Sequence, residues 1–311
     1  MTRREKILKC FDAKDELTIN NPKYKDFTKR LFDFILEADL GEGDASQFPP
    51  KAYQKKVECV IIVKENGYVA GLEEIVFLLS QYKIKSLTEF KDGDRIKIGD
   101  VLLKIQGESG KILALERTIL NILQRMCGIA TMTAKFMGRI KRDDCFAIGT
   151  RKTLLGFWDK KAVQCGGGLS HRLNLEDAAM LKENHLNVLG SDVVDGIENI
   201  IRRNQNLRFI EIEVTNEDEF WVMARHLCNV KFDIPKVIMF DHFTIAQIKK
   251  IIGEMQIKGI YDEIFLEASG NIELNSIEEY AKSGVDVMSS GALTHSVKGL
   301  DLSLLFNYKN K

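Results

Sequence analysis

The sequence predicts an α/β protein built around a parallel β-sheet. From Cys145 onward, short apolar runs roughly 22 to 33 residues apart alternate with helix-spaced segments, and this interval matches one βα unit. One helical segment carries Ile248, Ile251, Ile252 and Met255 at the spacing of a single helix face. Such units form a parallel sheet, either open or closed into a barrel. A length of 311 residues suggests two domains or one large one.

The first part of the chain has a different pattern, which predicts helices together with short antiparallel strands. In chain order, the predicted elements are a helix through Tyr24, Phe27, Leu31, Phe34 and Ile35, a glycine-containing break at 39–44, a strand at 58–64, a turn at Asn66-Gly67, a helix at 72–82 and a small antiparallel sheet reaching Ile112. A long apolar-rich helix at 113–133 is expected to join the two parts.

The charge balance argues against two classes of partner. Lysine and arginine together number 45, as do aspartate and glutamate, so the formal net charge is zero. General nucleic-acid binders and anionic-membrane binders depend on a basic surplus. The balance still leaves room for a local basic pocket.

The sequence also indicates the compartment. The N-terminus is charged, and no apolar signal segment follows it. The apolar runs are far shorter than the roughly 18 to 20 residues of a membrane span. The six cysteines form no C-x-x-C pair, which argues against a zinc site or a disulfide framework. We therefore expect a soluble, cytoplasmic protein with reduced, mostly buried thiols.

Polar or small residues stand at the end of each of the six apolar runs. In chain order they are Arg151-Lys152, Lys182, Glu213, Asp241, Ser269-Gly270 and Ser290-Gly291. The carboxyl ends of parallel strands are where α/β sheets and barrels place their ligand sites. We therefore predict that these side chains surround one site.

The basic members of this set predict an anionic ligand. They are Arg151, Lys152, His171, Arg172 and Lys182. Cations gathered at one sheet edge repel each other, and burying each of them unpaired costs several kcal/mol. Arginine binds carboxylates and phosphates in a bidentate manner, whereas lysine acts as a point charge.

The acidic members, Glu213 and Asp241, lie at the ends of adjacent predicted strands. Two carboxylates suit Mg²⁺, which shares phosphate oxygens with its substrate. Ion pairing with the basic set is the other interpretation, and the two are compatible.

The small members predict a phosphate site. Ser269-Gly270-Asn271 and Ser290-Gly291-Ala292 are each expected to precede a helix, and backbone N–H groups at a helix start bind phosphate. Plain turns use the same residues, and Gly166-Gly167-Gly168 is open to both a turn and a closely approached loop. Together, the strand ends suit a sugar phosphate with Mg²⁺ and a second anion, as in an enzyme that joins phosphoribosyl pyrophosphate to an acidic base.

These residues resemble the quinolinate phosphoribosyltransferase family, in order from about residue 36 to the C-terminus. The matching segments are Gly149-Thr150-Arg151-Lys152-Thr153, Gly166-Gly167-Gly168-Leu169-Ser170-His171-Arg172, Leu181-Lys182-Glu183-Asn184-His185, Glu211-Ile212-Glu213-Val214, Phe240-Asp241, Leu266-Glu267-Ala268-Ser269-Gly270 and Gly291-Ala292-Leu293-Thr294-His295-Ser296.

The resemblance implies a fold and an activity. The fold is an N-terminal α/β sandwich-like domain, residues 1–125 with a possible contribution from the tail 300–311, and an incomplete parallel α/β barrel, residues 126–299. The activity is phosphoribosyl transfer to quinolinate with loss of CO₂, which yields nicotinate mononucleotide and pyrophosphate for NAD synthesis. A homodimer or higher oligomer with shared active sites is also implied.

The resemblance assigns the base site to four residues. Arg151, His171 and Arg172 are similar to the residues that contact the carboxylates of quinolinate. Arg117 is similar to the arginine that reaches into the site of the partner subunit.

The remaining roles concern the phosphoribosyl donor. By resemblance, Lys152 and Lys182 contact the diphosphate and the reacting region, and Glu213 and Asp241 serve the ribose and Mg²⁺. The residues implied for the 5-phosphate are Ser269, Gly270, Gly291 and His295.

Some positions depart from the family pattern. Leu154-Leu155 stand where the family usually has Thr-Pro, and Phe157-Trp158 where it has Leu-Arg. These changes remove an arginine and add aromatic surface beside Arg151, which leaves the identity of the base open. His242 replaces an asparagine and is expected to replace its amide hydrogen bond, and Asn271 stands where a second glycine is common.

Three hypotheses follow. The first is an authentic quinolinate enzyme. The second is a paralogue that acts on another acid such as nicotinate, or the relative encoded in molybdenum operons. The third is a binding protein without activity, which the presence of Lys182, Glu213 and Asp241 together argues against.

Overall fold

The computed structural model describes residues 1–46, 50–190 and 192–306. They form two compact units that interleave along the chain. The parallel-sheet unit contains Met1–Ala13, Lys135–Thr153 and Gly168–His295, and the antiparallel-sheet unit contains the described residues of 14–134, 154–167 and 296–306. The domain boundary near residue 125 stays a prediction.

Twelve α-helices lie in the described residues: α1 (Arg3–Phe11), α2 (Pro22–Leu40), α3 (Pro50–Tyr53), α4 (Leu72–Gln81), α5 (Ser109–Arg139), α6 (Phe157–Cys165), α7 (Glu183–Leu189), α8 (Val193–Arg203), α9 (Glu217–Asn229), α10 (Ile245–Ile257), α11 (Ile277–Ala281) and α12 (Ala292–His295). None of these described helices combines the length and the apolar character needed to cross a membrane.

The same residues contain twelve strands: β1 (Lys56–Val63), β2 (Gly67–Tyr68), β3 (Lys85–Leu87), β4 (Arg95–Ile96), β5 (Val101–Glu108), β6 (Phe146–Gly149), β7 (Ala179–Leu181), β8 (Ile210–Val214), β9 (Lys236–Asp241), β10 (Phe265–Ser269), β11 (Val287–Ser290) and β12 (Leu302–Phe306).

Six parallel strands form the sheet of the parallel-sheet unit, in the order β6-β11-β10-β9-β8-β7. Strands that follow each other in sequence are neighbours from β7 to β11, and β6 then pairs with β11, as in an α/β barrel. An isolated parallel β-bridge joins Ile148 of β6 to Leu169. The sheet order ends at β6 and β7, so the barrel is incomplete. The predicted α/β class and the parallel sheet are confirmed. Each of the six strands ends within two residues of the polar or small residue predicted at the end of its run.

Near the amino ends of the strands, the interior of this sheet is apolar and is filled partly by α1. Ile7, Cys10 and Phe11 of that helix are fully buried and cluster with inward residues of the strands, such as Val237 and Val287. Burying one such side chain contributes about 1.5 to 3 kcal/mol. Arg3 fixes the start of α1, because its Nε donates to Asp286 Oδ1 at 2.6 Å.

A four-stranded antiparallel sheet, in the order β12-β1-β5-β3, forms the antiparallel-sheet unit together with helices. β12 lies in the tail proposed to complete this part of the chain and pairs with β1 from Cys59↔Phe306 to Val63↔Leu302. Residues 307–311 of that tail lie outside the described residues. The expectation that the sheet reaches Ile112 is wrong, because α5 begins at Ser109.

The predicted helix through Tyr24 is confirmed as α2, but its buried face is Tyr24, Thr28, Phe32 and Leu36. Phe34, which we placed on the apolar face, is 70% exposed. The buried residues recur strictly every four positions, so the polar Thr28 occupies a core position that an apolar pattern does not reveal.

A buried ion cluster stabilises α6 within the antiparallel-sheet unit. The Lys161 ammonium pairs with Glu73, with Glu74 at 2.8 Å and with Asp92 at 3.3 Å. Tyr24 Oη donates to Glu74 at 2.7 Å. Burial opposes the charge of Lys161, but the carboxylates outweigh burial and raise its pKa. Burial also raises the pKa of the fully enclosed Glu74 to about 7.

We expect Lys161→Met to lower the free energy of unfolding by about 3 to 5 kcal/mol, because it leaves Glu74 buried without a countercharge. Urea unfolding measures the change. The loss should be smaller at pH 5 than at pH 8, since a protonated Glu74 needs no partner. Lys250→Met, which removes an exposed ion pair with Glu217, is the control and should leave the urea midpoint almost unchanged, because exposed ion pairs add little stability. An unchanged urea midpoint for Lys161→Met would contradict this account.

Candidate active site

A pocket of about 510 Å³ opens at the carboxyl ends of the parallel strands. Eight of the twelve predicted site residues line it, and they are Arg151, Lys152, His171, Arg172, Lys182, Glu213, Asp241 and Ser269. The structure thus brings together side chains that span more than a hundred positions of the sequence.

Strand register explains why these side chains meet. Glu213 and Glu267 are both in register with Met239 of the central strand β9. Asp241 and Ser269 are in register with each other, one pleat nearer the strand ends. Because alternate residues of a strand point to the same face, all five point into the pocket.

The basic residues form a site that favours anions. Arg172 is buried, and its Nη1 donates to the carbonyl oxygen of Ala178 at 3.2 Å. Burial and then the charge of Arg151 lower the pKa of Arg172. An anionic ligand would relieve this repulsion, since arginine pairs strongly with carboxylate and phosphate.

The two predicted carboxylates have cationic or polar partners. The Lys182 ammonium pairs with Glu213, as the ion-pair interpretation predicted. His242 Nδ1 lies 3.0 Å from Asp241 Oδ1, which is the contact expected of a replaced amide. His242 has a φ of 60°, a left-handed conformation that asparagine adopts more readily than most residues.

The donor set suits Mg²⁺. Glu213 and Asp241 offer partly exposed carboxylate oxygens on neighbouring strands, and Mg²⁺ takes one or two carboxylates together with phosphate oxygens. Two clusters of three potential metal ligands also occur in the described residues, namely His171-Glu211-Glu267 and Glu73-Glu74-Asp92. In the first cluster, the imidazole of His171 already pairs with Glu211. In the second, the carboxylates already pair with the Lys161 ammonium.

Of the two helix starts predicted beside the 5-phosphate residues, the structure contains one. Gly291 directly precedes α12, as expected, and a Cβ there would lie 2.7 Å from His295 Cδ2 and 3.3 Å from Lys152 Cδ. Gly270 has a φ of 101° and abuts His242, so glycine is required there. The expectation that a helix directly follows Ser269-Gly270-Asn271 is wrong, because α11 begins only at Ile277.

Arg117 belongs to a different unit from the pocket residues. It lies on α5, within the antiparallel-sheet unit, and its side chain is exposed. Its predicted role in the site of a partner subunit stays a prediction.

The loop that departs from the family pattern packs within the antiparallel-sheet unit. Trp158 is fully buried, and its Nε1 donates to Thr28 Oγ1 at 3.1 Å. Phe157 packs against Phe27 with ring centroids 4.8 Å apart. The expectation that Trp158 adds aromatic surface is therefore wrong, and the exposed side chain of this loop is Leu154. In the same unit, Gly166 accepts no side chain, since a Cβ would lie 2.3 Å from the oxygen of Ala130.

Sequence analysis assigned no role to two buried carboxylates beneath the pocket, Glu211 and Glu267. Both are 0% exposed and lie in the middle of apolar strands. Burial and the neighbouring charge of Glu267 raise the pKa of Glu211 to about 7. Burial opposes ionisation of Glu267, but His171 outweighs it and lowers the pKa of Glu267. The position of each glutamate, two residues before a predicted site residue on the same strand, could have identified it.

An open α/β barrel whose strand ends hold clustered cations and two carboxylates defines an enzyme site for anionic substrates. Family models specify it further. The model of the quinolinate phosphoribosyl transferase C-terminal domain matches residues 129–305, and that of the N-terminal domain matches residues 43–127. The chain belongs to the quinolinate phosphoribosyltransferase family.

Curated relatives and solved structures agree. The probable nicotinate-nucleotide pyrophosphorylase [carboxylating] of Archaeoglobus fulgidus is 36% identical over 267 residues, 84% of this chain and 97% of that protein. The protein of the same name from Methanocaldococcus jannaschii is 38% identical over 290 residues, 90% of this chain and 97% of that one. The crystal structure of NadC from Streptococcus pyogenes superposes with a TM-score of 0.75 at 33% identity, covering 89% of this chain and 96% of that one.

Proposed function

We propose that this chain transfers the phosphoribosyl group of phosphoribosyl pyrophosphate to the ring nitrogen of quinolinate. Loss of CO₂ follows, which gives nicotinate mononucleotide and pyrophosphate for NAD biosynthesis. One observation carries the proposal: the pocket holds Arg151, His171 and Arg172 beside Lys182, Glu213 and Asp241. A dicarboxylate base and a pyrophosphate-bearing sugar together match this set in charge.

The base is bound by the buried, cationic side of the pocket. Arg172 and His171 are both less than 8% exposed, so they present charge in a site with little water. Their fixed donors orient the two carboxylates and align the ring nitrogen with the anomeric carbon. The identity of the base as quinolinate is supported by the names of the relatives.

The transfer step separates charge, and the pocket carries complementary charge on both sides. Breaking the bond between ribose and pyrophosphate develops positive charge on the sugar and negative charge on the leaving group. Lys152 and Lys182 provide positive charge for the leaving group, and Glu213 and Asp241 provide negative charge for the sugar. The new positive charge on the ring nitrogen then stabilises the carbanion left by CO₂.

Mg²⁺ is the proposed cofactor, held by Glu213 and Asp241. When bound, it would neutralise diphosphate charge and act as a Lewis acid. For the 5-phosphate we propose Ser269, Gly270, Gly291 and His295, supported by the close approach of His242 to Gly270 and of His295 and Lys152 to Gly291. The cytoplasmic location stays a proposal.

We also propose a homodimer or higher oligomer in which Arg117 of one subunit completes the site of another. The support is the resemblance of Arg117 to a residue with that role and the exposure of its side chain on α5.

With quinolinate labelled in the 2-carboxyl group, we expect release of CO₂ and pyrophosphate in equal amounts, dependent on phosphoribosyl pyrophosphate and Mg²⁺. Nicotinate should not replace quinolinate. Lys182→Met should lower kcat by about 10² to 10³, whereas Lys249→Met, an exposed lysine on α10, should leave it unchanged. Turnover of nicotinate alone would instead establish the paralogue hypothesis, and no turnover of either acid would favour the binding protein.

Hybrid complementation tests the shared site. Arg117→Ala and Lys182→Ala proteins should each be nearly inactive, but subunit exchange between them should restore part of the activity, because one site in a hybrid has both residues. Activity is measured after mass spectrometry has shown that hybrids form. No recovery in proven hybrids would contradict a role for Arg117 in the partner's site.

A further inference from the structure

His171 lies between two buried glutamates directly beneath the pocket. Its Nε2 donates to Oε2 of Glu211 at 2.8 Å, and Oε2 of Glu267 lies 3.3 Å from the same nitrogen. The two glutamates come from β8 and β10, on either side of β9. His171 also lines the pocket, so it connects this buried layer to the ligand site.

On one side, this cluster packs against aromatic rings. The His171 ring stacks on Phe11 with an interplanar angle of 13° and contacts Phe209 with centroids 5.3 Å apart. Burying two carboxylates costs free energy unless a cation pairs with them. The imidazole is the group placed to supply that charge to both.

The backbone of His171 has a φ of 53°, a left-handed conformation that histidine adopts more often than most residues. The contacts with Glu211 and Glu267 are made by Nε2 of its ring. With Nε2 committed to the carboxylates, Nδ1 is the ring nitrogen that can donate to a ligand. An imidazolium would present Nδ1–H as a charged donor, whereas a neutral ring that donates from Nε2 would present only a lone pair.

We propose that Glu211 and Glu267 are positioning residues that keep His171 an imidazolium, so that its Nδ1–H binds a carboxylate of the base. This inference rests on the proposed function, because it assumes an anionic base in the pocket. Both glutamates act on the base through His171, and Glu267 also lines the pocket.

The carboxylates of Glu211 on β8 and Glu267 on β10 favour the imidazolium. The cations nearby oppose it, namely Arg208, whose Nη2 donates to the His171 carbonyl at 3.0 Å, and Arg172 and Arg151 at the pocket. The Cys10 thiol on α1 is neutral, because burial raises its pKa. Burial would lower the pKa of His171, but the two carboxylates outweigh burial and raise it to about 9. Because the raised pKa belongs to the folded protein, the charge is present at neutral pH and is lost only as the pH rises toward 9.

The kinetic test compares the pH dependence of KM for quinolinate. In the unchanged protein, His171 should stay protonated between pH 6 and 8, so its titration should not raise KM for quinolinate in that range. In Glu211→Gln and Glu267→Gln, the pKa of His171 should fall, and KM for quinolinate should rise about tenfold relative to the unchanged protein at pH 8 but little at pH 6. KM for phosphoribosyl pyrophosphate should stay within about twofold.

Asp286→Asn is the matched control, since it also removes a buried, ion-paired carboxylate of the same unit. It should lower the melting temperature without producing a pH-dependent change in KM for quinolinate. If the Glu211 and Glu267 variants behaved like this control, or raised KM equally at all pH values, the positioning role would be overturned.

A spectroscopic test is independent of turnover. With ¹⁵N-labelled histidine, the signals of the five histidines are followed against pH, and the signal missing in His171→Asn identifies His171. We expect His171 to stay protonated at pH 8 in the unchanged protein. Titration at the ordinary value near 6.5 would overturn the inference, even if quinolinate were turned over. Failure of turnover together with a protonated His171 would sink only the proposed function.

Discussion

The structure depends on the need to balance charge at the open end of a parallel sheet. Strands converge there, so Arg151, Arg172 and Lys182 are brought close together while Arg172 is removed from water. Burial, and then repulsion by Arg151, lower the pKa of Arg172. The protein offsets part of this repulsion with Glu213, and an anionic substrate is suited to offset the rest. A pocket of this kind binds anions because its own charges are incompletely paired.

The same balance continues one layer deeper. Between the apolar interior around Phe11 and the pocket lie Glu211 and Glu267, which are enclosed with His171. The inner face of the sheet thus changes from apolar, to a charged cluster with no exposure, to a partly exposed charged surface. Such a gradation places charges near a substrate while the supporting residues are enclosed. The Lys161 cluster uses the same device for stability in the antiparallel-sheet unit.

Sequence reasoning predicted this fold and most of the pocket because both depend on local patterns. An apolar run followed by a polar residue fixes where a strand ends, and the order of strands then brings the ends together. The face of α2 was partly wrong, because Thr28 takes a core position opposite Trp158. The helix after Asn271 was misplaced, because Ser-Gly-Asn forms a turn with φ values of 101° at Gly270 and 51° at Asn271. The Lys161 cluster could not be predicted, since its partners lie about 70 to 90 positions away in the sequence and meet only by tertiary packing.

The most direct measurement of the central claim is a crystal structure with quinolinate, Mg²⁺ and an unreactive analogue of phosphoribosyl pyrophosphate. The account predicts that the quinolinate carboxylates lie against Arg151 and Arg172, and that the diphosphate and metal lie beside Lys182, Glu213 and Asp241. Density for the ligands at another surface, with these five side chains unliganded, would contradict it.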